Sequence, residues 1–149
     1  MDFADVVYEK KKLVMNSLLR VEVRSLGRQL ADLAAHDRYA RDILRPELLD
    51  ALIEVTACVP VYRTYIRTIA PSEWAKQVIE DAIEEASRRR PHLSPASFAF
   101  LRDVLTVANP PHVLPEQRGE RLATFPMFWG RYWCCSSAPS SRAFWDAAF

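Results

Sequence analysis

Glycine is scarce in this chain, with 3 among 149 residues. So little glycine argues against a turn-rich all-β fold and would scarcely permit a phosphate cradle. No Gly-x-Gly-x-x-Gly, phosphate loop or His-Glu-x-x-His string occurs. Cysteine is as rare: Cys58 stands alone and Cys134 adjoins Cys135. That pattern excludes a disulfide framework and a paired Cys-x-x-Cys zinc site, and it fits free thiols in a reducing compartment. An excess of either charge is missing too, because 20 Lys plus Arg stand against 19 Asp plus Glu for a net +1. No bulk field draws the chain to nucleic acid or to an anionic membrane. No apolar run approaches the ~20 residues that cross a bilayer. The acidic start, Met1-Asp2-Phe3-Ala4-Asp5, lacks the basic opening of a secretory signal, so a cytoplasmic location is expected. His36, His92 and His112 lie far apart beside loop-forming residues, none spaced with a second ligand, and no metal is assigned.

What the chain does have is helical periodicity. Half its residues are apolar and 26% are charged, a globular composition long enough for one ordinary domain. From Asp2 to about Ala35 only Gly27 interrupts a helical pattern. Leu19, Val23, Leu26, Leu30 and Leu33 mark one face and Phe3, Val7, Val14, Leu18 and Val21 an adjacent one, which predicts one long helix with a wide apolar stripe. Glu9, Lys10, Lys11, Lys12, Arg20, Glu22, Arg24 and Arg28 fall mostly between those lines and are expected to be solvated. A turn around Asp37 to Arg45 follows. Pro46 and Glu47 then suit the start of a second helix that ends near Cys58.

Ser72 is the candidate N-cap of a third helix reaching Arg88, with Trp74, Val78, Ile79, Ala82, Ile83 and Ala86 on its apolar face. Its basic end, Arg88-Arg89-Arg90, complements the negative helix terminus, and the acid pairs Glu80-Asp81 and Glu84-Glu85 belong on its wet side. Ser94-Pro95 opens another helix carrying Phe98, Leu101, Val104, Leu105 and Ala108, and Asn109-Pro110-Pro111 closes it. Glu116 to Phe125 is a candidate for one more, weakened by Gly119. The expectation is an all-α fold of four to five helices.

One stretch departs from this pattern. Val59-Pro-Val-Tyr-Arg-Thr-Tyr-Ile-Arg67 is rich in β-branched and aromatic residues, and Pro60 ends the helix before it, which predicts a short extended segment. Arginine brings a planar fork of donors and tyrosine a flat face with a hydroxyl, groups suited to a sugar ring or a carboxylate. Tyr62, Arg63 and Tyr65 are therefore candidate binding residues. The competing account is structural, with Arg63 paired to a buried carboxylate and both tyrosines packed.

Taken in order, Phe3-Ala-Asp-Val-Val-Tyr-Glu-Lys-Lys-Lys-Leu-Val14, Leu18-Leu-Arg-Val-Glu-Val-Arg-Ser-Leu26, Pro60-Val-Tyr-Arg-Thr-Tyr-Ile66 and Phe100-Leu-Arg-Asp-Val-Leu105 resemble an internal stretch of maltooligosyl trehalose synthase, an α-amylase-clan enzyme. The resemblance spans roughly residues 3–125. It implies an intramolecular transglucosylation that turns the reducing-end α-1,4 linkage of a maltooligosaccharide into an α,α-1,1 linkage, with no cofactor. It also implies that this stretch is a helical insertion of a (β/α)₈-barrel enzyme whose apolar faces lean on the barrel. The two working carboxylates of such a retaining mechanism belong to segments before the stretch, and a third acid follows it, so no catalytic residue is expected here and the chain alone should not turn over. The implied partners are the maltooligosaccharide, met through Tyr62, Arg63 and Tyr65, and the remainder of the enzyme.

Residues 126–149 differ from the rest. They crowd Phe128, Trp129, Tyr132, Trp133, Phe144 and Trp145 among few charges, without lasting periodicity. Where the family continues with an Arg-aromatic-Gln-Gln string, this chain runs Pro126-Met-Phe-Trp-Gly. A truncated or frameshifted coding fragment, or a disordered tail, is the expectation for this second region. An alternative function is a non-catalytic helical module that docks on a protein partner through its aromatic tail. A DNA-binding regulator is disfavoured by the near-zero charge and by the lack of helix-turn-helix spacing.

Overall fold

The computed structural model describes residues 2–59 and 73–106. Five helices run through them: α1 (Phe3–Ser17), α2 (Arg20–Ala35), α3 (Arg45–Cys58), α4 (Glu73–Arg89) and α5 (Pro95–Leu105). No strand occurs among the described residues, in keeping with the all-α expectation. None of these helices is long and apolar enough to cross a membrane.

α3 is the axle of the bundle. Every residue from Ala51 to Ala57 is buried, so this second half of the helix is enclosed on all sides, and α1, α2, α4 and α5 all pack against α3. The main core joins Leu26 and Leu30 of α2, Leu48, Leu52 and Val55 of α3, Ile79 and Ile83 of α4, and Phe98, Leu101 and Leu105 of α5. Full burial of each such side chain contributes about 1.5 to 3 kcal/mol. A second, smaller cluster brings Tyr8 and Met15 of α1 onto Ile53 and Ala57 of α3. Among the described residues, these helices seat much of their apolar surface on one another. What stays outside lies mainly on α1 and at the start of α2: Phe3, Val6, Leu13, Leu18 and Val21 are exposed.

Helix limits follow local chemistry. Ser94 has extended backbone and its Oγ accepts the Ala96 N–H at 3.2 Å, with Pro95 at the first helical position, as the sequence predicts. Glu47 Oε1 adds an inter-helix cap, accepting the Ser94 N–H at 3.2 Å and the Ser97 hydroxyl at 3.1 Å. Between α2 and α3, buried Asp37 accepts the N–H groups of Tyr39 and Ala40 at 2.8 and 3.2 Å and organises the turn. Pro46 is the second residue of α3, one place later than expected. Val59 takes the extended conformation that a following proline imposes.

The long helix over Asp2 to Ala35 is corrected. It breaks at Leu18-Leu19, where the Val14 carbonyl accepts from both the Leu18 and Leu19 N–H groups, at 2.9 and 3.1 Å. Just before the break, the Ser17 hydroxyl turns back to the Leu13 carbonyl at 2.6 Å, a bond of the kind that bends helices. Geometry supplies the larger reason. A straight helix of that length would span about 50 Å at 1.5 Å per residue, whereas α3 offers about 21 Å of contact. Only a folded-back pair can lay both halves on α3. Gly27, the one residue suspected of breaking the helix, instead lies buried inside α2 beneath Leu49.

Candidate functional site

The most distinctive chemistry among the described residues is a charged cluster where α1, α3 and the end of α4 meet. Glu54 is buried in the middle of α3. Its Oε2 accepts the Tyr8 hydroxyl, and its Oε1 lies 2.7 Å from Lys12 Nζ and 3.0 Å from Arg90 Nε. Arg89 extends the network to Glu85 at 2.6 Å and to Asp5 at 3.0 Å. The Tyr8 ring sits between two cations, with Arg89 Cζ 4.5 Å and Lys12 Nζ 5.0 Å from its centroid.

Each member is delivered by helical spacing. Tyr8, Lys12 and Met15 recur at steps of four and three on the inward side of α1. α4 ends one residue before Arg90, so consecutive arginines diverge, one to Asp5 and one to Glu54. The solvated reading of Lys11 and Lys12 is thereby corrected, because both point inward. So is the reading of the arginine run as a helix-end effect alone, since Arg89 and Arg90 also hold α1 and α3. Of the supposed surface acids, Glu80, Asp81 and Glu84 are exposed, while Glu85 is half-buried and binds Arg88 and Arg89.

Burial and the Glu54 charge push the Tyr8 phenol above its ordinary pKa. Burial alone would lower Lys12, but its hydrogen bond and charge pairing with Glu54 outweigh that, and its pKa rises. Burial, the largest single influence on Glu85, would raise its pKa, but the hydrogen bonds and charges of Arg89 and Arg88 together outweigh it and draw the carboxyl down. The resulting cluster is ion-paired in neutral solution. Both Glu54 oxygens are occupied, and neither Tyr8 nor Lys12 is tuned toward pH 7, so this constellation pins helices rather than transferring protons. Beside it, Lys11 Nζ donates to the Val59 carbonyl at 2.6 Å, and burial lowers its pKa. Burial also pushes the Cys58 thiol up to about 11, leaving it protonated and unreactive.

Tyr62, Arg63 and Tyr65, the residues singled out from sequence, lie outside the described residues. The described chain brings them only as far as Val59, the residue anchored by Lys11. Among the described residues no group of three or more His, Cys, Asp and Glu could hold a metal ion, and His36 and His92 are exposed. Sequence reasoning missed Glu54 and its partners. A signal was present: Glu54 is the lone acid in Ala51-Leu-Ile-Glu-Val-Thr-Ala57, and a charge in so apolar a run needs a partner if that run is enclosed. Compared with known proteins, the chain matches no family model, no curated relative and no solved structure.

Proposed function

We propose that this chain is the helical portion of a maltooligosyl trehalose synthase, serving to position rather than to perform the transglucosylation. One observation carries the reading. The four strings that resemble the family fall, in order, on α1, the start of α2, the chain just after α3, and α5. The first string also supplies Tyr8, Lys11 and Lys12, which secure the end of α3 where the Tyr62-Arg63-Thr64-Tyr65 segment begins. In this proposal the bundle is a rigid base, and Tyr62, Arg63 and Tyr65 meet the maltooligosaccharide. The acid and nucleophile come from the rest of the enzyme, in the cytoplasm.

A chimera tests this. Residues 3–125 would replace the matching stretch of an active family member, and trehalose-ended product would be measured from a maltooligosaccharide. Turnover should survive, and Tyr62→Ala or Arg63→Ala in the chimera should raise KM about tenfold or more, the loss of one or two good polar contacts. The 149-residue chain alone should yield no product. A folded chimera without turnover, or product from the chain alone, would overturn the proposal.

The internal core of α2 to α5 favours a second reading, a helical module that folds by itself and docks on a protein partner. The chimera separates the two, because an unrelated module would not restore the enzyme.

A further inference from the structure

We infer that α1 is an exchangeable arm, hinged at Leu19, and that two copies of this chain form a dimer in which each α1 pins Glu54 of the other. The proposal does not depend on the enzymatic reading. Its first support is the hinge. Leu18 already has helical torsions, φ −81° and ψ −36°, and at Leu19 φ −102° and ψ 21° mark the departure. Bringing Leu19 to φ about −63° and ψ about −42° would join α1 and α2 into a single helix. No proline or glycine between Phe3 and Leu26 opposes the change. The extended arm is the continuous helix that the sequence pattern itself specifies.

The second support is how α1 is held. It contributes nothing to the main core and is held by the small Tyr8–Met15–Ile53–Ala57 cluster, the Glu54 pin, the Lys11 bond to the Val59 carbonyl and the Asp5–Arg89 ion pair. All of these run from α1 to residues of α3, α4 and Val59 and no α1 residue joins the main core, so the α1 of another copy can remake each of them without repacking α2 to α5. Exchange of an identical element between protomers is a low-cost route to a dimer, and short hinges invite it.

The third support is what the bend leaves in water. Phe3, Val7, Val14 and Leu18 share one face of α1, of which Val14 is buried, and a continuous helix would add Val21 to that face. With the chain folded back, Phe3 is 80% exposed, Leu18 64% and Val21 74%. In the exchanged dimer the two straightened helices pass one another at the hinge, and Leu18 and Val21 of one copy gain those of the second as cover.

Two experiments on the full chain decide the matter. Size-exclusion chromatography with light scattering, from about 10 μM to about 1 mM, should show a dimer fraction that rises with concentration. Inserting Gly-Ser-Gly-Ser between Leu18 and Leu19 should return it to monomer, because a longer loop lets α1 close on its own chain. A wild type monomeric throughout, or an insertion variant that dimerises equally well, overturns the proposal. In the second experiment Lys12→Glu and Glu54→Lys chains are mixed. Each alone sets like charges against each other whether closed or exchanged with itself, whereas exchange between the two restores both pins. A one-to-one heterodimer that melts higher than either component is expected. Folded variants that stay separate overturn the proposal, and if either fails to fold, the insertion experiment alone decides.

Discussion

Lys12 of α1 and Glu54 of α3 stand 2.7 Å apart with both side chains largely withdrawn from water. A pair so placed is worth little relative to an apolar replacement, but breaking it on one side strands a charge. Glu54→Ala leaves Lys12, Arg90 and Tyr8 without their common acceptor and should cost about 3 to 5 kcal/mol. Glu54→Gln keeps the shape and an acceptor and should cost about 1 to 3 kcal/mol. Urea denaturation at neutral pH checks both values and their order.

Glu47→Ala should loosen α5 in particular. It removes the acceptor of the Ser94 N–H and of the Ser97 hydroxyl, and Ser97 is fully buried. The expected loss is about 1 to 3 kcal/mol, the penalty for an unpaired buried polar group. Hydrogen exchange should quicken first at the amides of the first turn of α5; uniform quickening across the bundle would contradict a local cap.

Gly27→Ala sets helix propensity against space. A Cβ there would come within 2.8 Å of Leu49 Cδ1, the far end of a half-buried side chain that can rotate away. Alanine in a helix interior gains up to about 1 kcal/mol over glycine, so the melting temperature should hold or rise slightly. Gly27→Leu has no such escape and should destabilise by about 1 to 3 kcal/mol through overpacking.

Alkali should unfold the protein earlier than acid-base behaviour of exposed groups would suggest. Cys58, raised to about 11 by burial, and Tyr8 and Lys12, both raised, hold their protons more tightly folded than unfolded. Their contribution is whole below the unfolded pKa values, about 8.5 for the thiol and 10 for the others, and is lost as pH climbs through the folded ones. Lys11, lowered by burial, works in the opposite sense and recovers part of the loss. Urea midpoints measured from about pH 8 to about pH 11 should therefore fall, and Cys58→Ser should flatten the decline. Equal slopes for wild type and variant would assign the decline to other groups.

Much of the helical pattern was legible before the fold was known. Ser94-Pro95 announced the start of α5 because a cap and a pre-set φ act within one turn, and Cys58 ended α3 because Pro60 constrains Val59 directly. Tyr62, Arg63 and Tyr65 stood out by composition, but they lie outside the described residues. The Glu54 cluster was hidden for a different reason: its members are 46 residues apart along the chain, from Tyr8 to Glu54, and no periodicity connects them.

Composition and local spacing alone determined that the described chain is helical and where three of its five helices lie. These are matters of one or two turns of backbone. Tertiary structure alone decided that the first helix folds back at Leu18-Leu19, that Lys12 and Arg90 turn inward, and that α3 becomes the enclosed centre. The physical reason is that a periodic pattern states which residues share a face but not what that face meets. That depends on the length and position of α3, which no window of the first helix contains.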